Sequence, residues 1–329
     1  MTRIDTLDVP GATLYHEVRG SGPVLLLICG GVYDAAGYTA LAELLADRYT
    51  VVTYDRRGNS RSPLDGPPRP QRIEAHADDA YRLLTALGVT PAEPAYVFGN
   101  SSGAMIGLGL AARHPELVRV LVAHEPPVFE LLPDRDHWRA LLRDVAAAFA
   151  KAGAEAANQV LAAAFAAETR AASPTANRQP GPGSAAGGSA PGAVAGSAGS
   201  GPVAGQSAPV SAVAAPERIP GGAEAPAGEP DPETAAMLAR IGRNMEFFVG
   251  YEVPPFGGHL PDLDGLRNGS VQVRPAVGEA STGQPPYRAA VAVAERLGEP
   301  PVVFPGDHGG FGDRAEAFAA RLHEVLSAG

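Results

Sequence analysis

The stretch YVFGNSSGAMIG, residues 96–107, begins with an apolar run. Two adjacent serines framed by glycines come next, and small and apolar residues follow them. Its GNSSG segment matches the pattern G-x-S-x-G, in which a strained turn between a strand and a helix exposes the central serine. Such a turn needs a strand before it, a helix after it and small residues two positions from the serine. AYVF is typical of the strand, AMIGLGLAARH of the helix, and Gly99 and Gly103 leave the necessary space. The stretch therefore predicts that Ser101 projects from the end of a buried strand.

Predicted strands and helices alternate on both sides of this stretch. Seven segments have the composition of strands: ATLYHEVR, VLLLICGG, YTVVTYD, AYVFG, VRVLVAHE, VQVRPAVG and PPVVFPG. Segments with helical periodicity lie between or after them: residues 38–48, 72–87, 102–114, 286–298 and 315–326. The order strand, helix, strand indicates a parallel sheet with crossover helices. The sequence thus predicts the α/β class, with a doubly wound, mostly parallel sheet.

A long insertion interrupts this alternation. Apolar residues at helical spacing predict one helical segment over residues 136–169 and another after residue 231. Between them, residues 171–230 are mostly Ala, Gly, Pro and Ser. That composition cannot bury enough apolar surface to offset the entropy of ordering the chain, so it predicts a long, flexible, disordered loop. We expect a core formed by residues 1–125 and 265–329, and a helical cap formed by residues 126–264.

Charge and cysteine content limit the partners of the chain. Its net charge is −10, from 36 acidic and 26 basic residues. We therefore expect a small-molecule substrate and neither a nucleic acid nor a membrane partner. Cys29 is the single cysteine, which excludes an internal disulfide and a multi-cysteine metal cluster. Neither a signal peptide nor a bilayer-spanning stretch is evident, so we predict a cytoplasmic protein whose oligomeric state the sequence does not indicate.

Three further motifs lie at the ends of predicted strands. They are CGG at residues 29–31, DRRGNS at 55–60 and GDHGG at 306–310. Together with the GNSSG turn, in this order and spacing, they resemble the α/β-hydrolase fold superfamily, and in particular its serine esterase-like branch. The resemblance covers nearly all of the chain outside the low-complexity loop. It implies the α/β-hydrolase fold with an inserted cap.

By this resemblance Ser101 is the nucleophile. The resemblance also implies an oxyanion hole made by the backbone N–H of Ser102 together with that of Gly31 or Val32. Cys29 stands where the family often has a histidine. Because the oxyanion donors in this loop are backbone groups, we expect this departure to leave the site intact. The implied chemistry requires no metal and no organic cofactor.

His308 is the predicted general base. A serine hydroxyl is a weak nucleophile at neutral pH unless a base accepts its proton, and a histidine has a suitable pKa. His308 lies in FPGDHGGF, a glycine-rich loop directly after the final predicted strand. Open α/β sheets place their functional sites at this carboxyl edge.

Two carboxylates compete for the role of the acid that orients His308. The family commonly carries this acid after the seventh strand, three residues beyond a glycine, but Ser281 stands at that position here. Glu279 is displaced from it by two residues, a shift that preserves side-chain direction in an extended segment. Some family members instead carry the acid after the sixth strand, where this chain has Glu125. Both residues fit the chain order serine, acid, histidine, so both stay open, and we favour Glu125.

The resemblance implies a serine hydrolase that acts on a small carboxylic ester through an acyl-enzyme on Ser101. Three alternatives use the same scaffold. An acyltransferase would pass the acyl group to an alcohol or amine, and a cofactor-free perhydrolase or haloperoxidase would use peroxide. A non-catalytic binding protein is the third, and an intact Ser101 with His308 argues against it.

Overall fold

A computed structural model of the protein describes residues 1–172 and 232–328. Within these residues, eight strands form one sheet. They are β1 (Arg3–Val9), β2 (Ala12–Arg19), β3 (Val24–Ile28), β4 (Thr50–Tyr54), β5 (Ala95–Asn100), β6 (Val118–His124), β7 (Gln272–Gly278) and β8 (Val302–Phe304). Their order across the sheet is β1-β2-β4-β3-β5-β6-β7-β8. The six strands β3 to β8 run parallel to one another. Strand β2 is antiparallel to both of its neighbours, β1 and β4. The predicted mostly parallel sheet is confirmed.

One strand was not predicted from the sequence. Strand β1 pairs with β2 along the edge of the sheet, and most of its residues are exposed. An edge strand that buries little apolar surface has no clear alternation of apolar and polar residues. Its formation depends on pairing with β2, which hydrophobic periodicity does not report.

Helices cover both faces of the sheet. They are α1 (Thr39–Leu45), α2 (Ile73–Ala86), α3 (Ser102–Arg113), α4 (Arg135–Ala172), α5 (Pro232–Phe247), α6 (Val253–Gly257), α7 (Leu263–Asn268), α8 (Pro285–Leu297), α9 (Gly310–Asp313) and α10 (Ala315–Ser327). Helices α2, α3 and α8 pack on one face, and α1 and α10 pack on the other. Residues 102–111 of α3 are all buried, because this helix lies between the sheet and its neighbours. The same residues are uniformly small or apolar in the sequence.

Helices α4, α5 and α6 are inserted between β6 and β7, and we call them the inserted helices. Gly153, with φ of 80°, divides α4 into two helical segments. Trp138 is buried in the cluster between these helices and stacks on Phe129 at 4.3 Å between ring centroids. Residues 171 and 172, predicted as loop, end α4, and the rest of the predicted loop to residue 230 lies outside the described residues. The division into a core and a cap at residues 126–264 stays a prediction.

The register of the parallel strands determines which loops meet. Ile28 of β3 pairs with Gly99 of β5, Asn100 of β5 with His124 of β6, and His124 with Ala276 of β7. The carboxyl ends of these strands therefore meet at one edge of the sheet, where α/β sheets place functional sites. No helix in the described part of the chain is long and apolar enough to cross a membrane.

Candidate active site

Ser101 occupies a strained turn between β5 and α3. Its φ is 56° and its ψ is −126°, a backbone conformation that residues other than glycine rarely adopt. The Ser101 N–H donates to the carbonyl of His124 at 2.9 Å, and the Ser101 carbonyl accepts from the N–H of Ala104 at 2.9 Å. These bonds hold the turn between the neighbouring strand and the first turn of α3. Backbone strain of this kind is frequent at functional positions, where the surrounding structure enforces it.

Gly99 and Gly103 let strand β5 and helix α3 approach each other closely. A Cβ atom placed at Gly103 would overlap the carbonyl oxygen of Ile28, and one placed at Gly99 would overlap the carbonyl oxygen of Gly103. Both obstacles are backbone atoms, which cannot rotate away as a side chain can. The sequence requirement for small residues on either side of Ser101 therefore has a direct steric cause.

Gly103→Ala is expected to lower the free energy of unfolding by about 3 kcal/mol, because overpacking against backbone forces β3 and α3 apart. Urea denaturation measures the change. Gly242→Ala is the matched control, because a Cβ at this position of α5 meets no atom within 4 Å. Alanine favours helix over glycine, so the control should be neutral or slightly stabilising. Equal stability of the two variants would contradict the steric explanation.

The structure brings His308 and Glu125 together. The Nδ1 atom of His308 lies 2.6 Å from Oε2 of Glu125. His308 follows β8 and is partly exposed, whereas Glu125 follows β6 and is fully buried. Glu125 has a φ of 47°, so it is a second non-glycine residue in the left-handed region at this edge of the sheet. Its N–H donates to the carbonyl of Ala276 at 2.9 Å, which fixes the strained residue to β7.

Three groups surround the carboxylate of Glu125. His308 contacts Oε2, while the N–H of Gly278, at 2.9 Å, and the hydroxyl of Ser281 both donate to Oε1. Burial acts to raise the pKa of Glu125, but His308 and Ser281 outweigh it and lower that pKa to about 2. Glu125 is therefore an anion at neutral pH. Ser281, at the position where the family commonly has its acid, here hydrogen-bonds the carboxylate that comes from β6.

Between pH 6 and pH 3, the wild-type protein is expected to lose about 2 kcal/mol more free energy of unfolding than Glu125→Gln does. The pKa of Glu125 falls from 4.5 to about 2 on folding. A carboxylate with a lowered pKa contributes stability that is present above the unfolded pKa and lost as the pH falls towards the folded one. Urea denaturation of both proteins at pH 6, 4 and 3 measures the difference. Parallel pH dependence of the two proteins would contradict the ionised, buried carboxylate.

Glu279, the other predicted acid, lies elsewhere on the same edge. Its side chain is exposed, in the short 3₁₀ turn that follows β7. Its Oε1 accepts from the N–H of Gly306 at 3.4 Å, so the carboxylate faces the backbone of the loop after β8. The geometry at His308 therefore favours Glu125 over Glu279 as the acid that orients the imidazole.

The predicted oxyanion donors lie on two adjacent segments. Ser102 is the first residue of α3, and Gly31 and Val32 lie in the loop after β3. The N–H of Gly31 donates to Oγ of Ser102 at 2.9 Å, which joins the two segments. Cys29 is buried, its thiol donates to the carbonyl of Asp34 at 3.0 Å, and burial raises its pKa well above the ordinary value. The thiol is therefore protonated and structural.

His124 was not singled out from the sequence, although it adjoins Glu125. Its ring is fully buried, and Nδ1 lies 2.7 Å from Oδ1 of Asn100. Burial lowers the pKa of His124 to about 4; the charge of Glu125 opposes this effect and that of His308 adds to it. His124 is therefore neutral at neutral pH. The centroid of its ring lies 6.4 Å from that of the His308 ring. Its position in the sequence, at the end of a predicted strand and next to a candidate acid, could have indicated that His124 lies near the site.

Comparison with known proteins identifies the family. A family model described as the alpha/beta hydrolase fold matches residues 23–183. YraK of Bacillus subtilis (strain 168), which is named an uncharacterized hydrolase, is 33% identical over 328 residues and is matched over 98% of this chain and 95% of its own length. The chain belongs to the α/β-hydrolase family. The predicted fold and the predicted hydrolase class are confirmed.

Solved α/β-hydrolase structures also align over most of the chain. A thermophilic esterase from Thermogutta terrifontis has a TM-score of 0.62 and 18% identity, with 99% of this chain and 97% of that chain covered. The enol-lactonase from Burkholderia xenovorans LB400 has a TM-score of 0.58 and 16% identity, with coverages of 98% and 100%. At these identities the likeness is one of fold.

Proposed function

We propose that this α/β-hydrolase cleaves small carboxylic esters through an acyl-enzyme on Ser101. The contact between His308 and Glu125, 2.6 Å long, carries the proposal. It gives the loop after β8 an imidazole held by a buried anion, at the edge of the sheet where Ser101 occupies its strained turn. A nucleophile, a base and a group that orients the base are the elements that acyl transfer on serine requires.

In the acylation step, Oγ of Ser101 attacks the ester carbonyl carbon and gives its proton to Nε2 of His308. The carbonyl oxygen becomes an oxyanion, stabilised by the N–H of Ser102 and an N–H from the loop after β3. The tetrahedral intermediate then expels the alcohol, which takes the proton from His308. The products of this step are the free alcohol and an acyl group bound to Ser101.

In the deacylation step, His308 accepts a proton from water, and the resulting hydroxide attacks the acyl carbon. A second tetrahedral intermediate forms and is stabilised by the same donors. Its collapse returns the proton to Oγ of Ser101 and releases the carboxylic acid. The enzyme is thereby restored, and water is the only co-reactant.

Glu125 has two functions in this mechanism. Because its pKa is about 2, its carboxylate stays charged and holds the proton of His308 on Nδ1, which leaves Nε2 as the base. The same negative charge stabilises the imidazolium that forms in each transition state. Ser281 and Gly278 hold the carboxylate in position by occupying its other oxygen.

The neighbours in structure suggest which acyl compounds to test first. One solved relative in fold is an esterase and another is an enol-lactonase, so both linear and cyclic esters are suitable substrates. A lactone places the same carbonyl and alcohol in one ring, and its opening uses the same two steps. We expect small neutral substrates, because the chain carries a net charge of −10 and repels anions at long range.

The decisive experiment combines a fluorophosphonate probe with a panel of p-nitrophenyl esters and lactones. We expect the probe to modify one residue, Ser101, identified by peptide mass spectrometry, and prior labelling to abolish turnover of the panel. Labelling of another residue, or turnover that survives complete labelling, would contradict the proposal. Competition between water and an added alcohol or peroxide for the acyl group distinguishes hydrolysis from acyltransferase or perhydrolase activity.

A further inference from the structure

A fully buried ion pair links the sheet to the inserted helices. Arg56 follows β4, and Glu252 ends the π-helical turn Phe248–Glu252 between α5 and α6. Both side chains are completely buried, and Nη1 of Arg56 donates to both carboxylate oxygens at 2.8 Å. Burial of two charges costs about as much free energy as their attraction returns, so stability alone does not explain such a pair. The hydrogen bond of the other terminal nitrogen of Arg56 suggests a further function for this arginine.

The second nitrogen of Arg56, Nη2, donates to the carbonyl oxygen of Gly31. That carbonyl and the N–H of Val32 belong to one planar trans peptide and point in opposite directions. An arginine that fixes the carbonyl therefore also fixes the direction of the Val32 N–H. Gly31 has a φ of +54°, and a Cβ placed on it would meet nothing within 4 Å, so no neighbour packs against it in the direction of a side chain.

A second side chain from the inserted helices holds the next peptide of the same loop. Nδ2 of Asn244, on α5, donates to the carbonyl of Val32 at 2.8 Å. Oδ1 of Asn244 accepts from the N–H of Ser60 at 2.7 Å, which fixes the orientation of the amide. Asn244 is buried, so water does not compete for these bonds. The peptides before and after the Cα of Val32 are thus both restrained from outside the loop.

The N–H of Gly31 already donates to Oγ of Ser102. We propose that the oxyanion hole consists of the N–H groups of Ser102 and Val32, and that Arg56 and Asn244 are positioning residues that aim the Val32 N–H. Glu252 supports this function by holding the guanidinium of Arg56. The proposal rests on the function proposed for Ser101. It makes the inserted helices part of the catalytic geometry.

Two variants test this proposal while each keeps part of the native contact. Arg56→Lys keeps a positive charge beside Glu252, but a compact ammonium cannot bond both Glu252 and the Gly31 carbonyl as the guanidinium fork does. Asn244→Asp keeps the acceptor for Ser60 and places a carboxylate oxygen against the carbonyl of Val32. Loss of one oxyanion donor costs about 10²–10³ in kcat, and a misdirected donor should cost about 10–100-fold. KM should change by less than about threefold, because the donor acts in the transition state.

Arg57→Lys is the matched control. Arg57 lies next to Arg56 and forms an ion pair with Asp79, with Nε 2.6 Å from Oδ2, and it also donates to the carbonyl of Pro10. This pair is partly buried, and the hydrogen bonds of the Arg57 guanidinium go to Asp79 and Pro10 and not to the loop after β3. The control should therefore lose stability, measured by thermal melting, while its kcat stays within about threefold of wild type.

An arylboronic acid, which forms a tetrahedral adduct on a serine, gives a second readout. Its affinity should fall in parallel with kcat in Arg56→Lys and Asn244→Asp, and should be retained in Arg57→Lys. The proposal fails if folded Arg56→Lys or Asn244→Asp keeps kcat within about threefold of wild type, or if only KM changes. If Arg56→Lys does not fold, Asn244→Asp provides the same test.

Hydrogen–deuterium exchange separates failure of this proposal from failure of the proposed function. If the wild-type protein hydrolyses no ester, the proposed function is wrong, but the restraint on the loop can still be measured. Amide exchange of residues 30–34 should be faster in Arg56→Lys and Asn244→Asp than in Arg57→Lys and wild type. Equal exchange in all four proteins would overturn the positioning function.

Discussion

Ser101→Ala is expected to lower kcat for p-nitrophenyl acetate and butyrate by at least about 10⁴-fold, and to abolish labelling by a fluorophosphonate. The reaction begins with the Ser101 hydroxyl, and water in its place would lack the geometry that the turn provides. Alanine has a Cβ as serine does, so it is no more strained at a φ of 56°. The melting temperature should therefore remain close to that of wild type.

The control for Ser101→Ala is Ser270→Ala. Ser270 is exposed and lies in the turn before β7, at the opposite end of that strand from Gly278. This variant should retain full labelling and full turnover. Folded Ser101→Ala that still turns over esters at more than a few per cent of the wild-type rate would remove Ser101 from the mechanism.

Glu125→Gln is expected to lower kcat by about 10³–10⁴-fold, with little change in KM. Glutamine keeps the volume of the buried side chain but loses the charge that stabilises the imidazolium of His308. In the wild-type protein His308, Gly278 and Ser281 all contact carboxylate oxygens. The glutamine must therefore point its NH₂ group either at His308 or at the donors Gly278 and Ser281. Either choice leaves a donor facing a donor, or holds His308 in the wrong tautomer.

Glu279→Gln is the matched control for Glu125→Gln. The Glu279 side chain is exposed and accepts from the N–H of Gly306 through Oε1, a contact that an amide oxygen preserves. Its kcat should stay within about twofold of wild type. A large loss in Glu279→Gln with none in Glu125→Gln would reverse the assignment of the acid, and full activity of both variants would exclude this triad.

The sequence contained the local parts of the site. GNSSG predicted a turn that needs small neighbours, and the structure shows the steric reason at Gly99 and Gly103. The glycine-rich loop after the last strand singled out His308. These predictions work because they depend on residues close together in the chain, where spacing and backbone sterics are sufficient.

The choice between Glu125 and Glu279 did not follow from the chain alone, because both precede His308 and both follow a predicted strand. Strand β6 is the neighbour of β5, and its last residues therefore lie beside Ser101. Glu125 also adopts a positive φ, which no periodicity predicts for a glutamate. Its partners are Gly278 at the end of β7, Ser281 in the turn after β7 and His308 in the loop after β8, all far away in the chain.

The sequence by itself therefore determined the α/β class, the strained turn at Ser101 and the loop of His308. Only the tertiary structure decided which carboxylate meets His308, and it also revealed that Arg56 and Asn244 hold the loop of Val32. The physical reason is that strand order and the contacts of buried side chains link segments distant in the chain. Arg56 and Glu252 are separated by 196 residues and still share two hydrogen bonds of 2.8 Å.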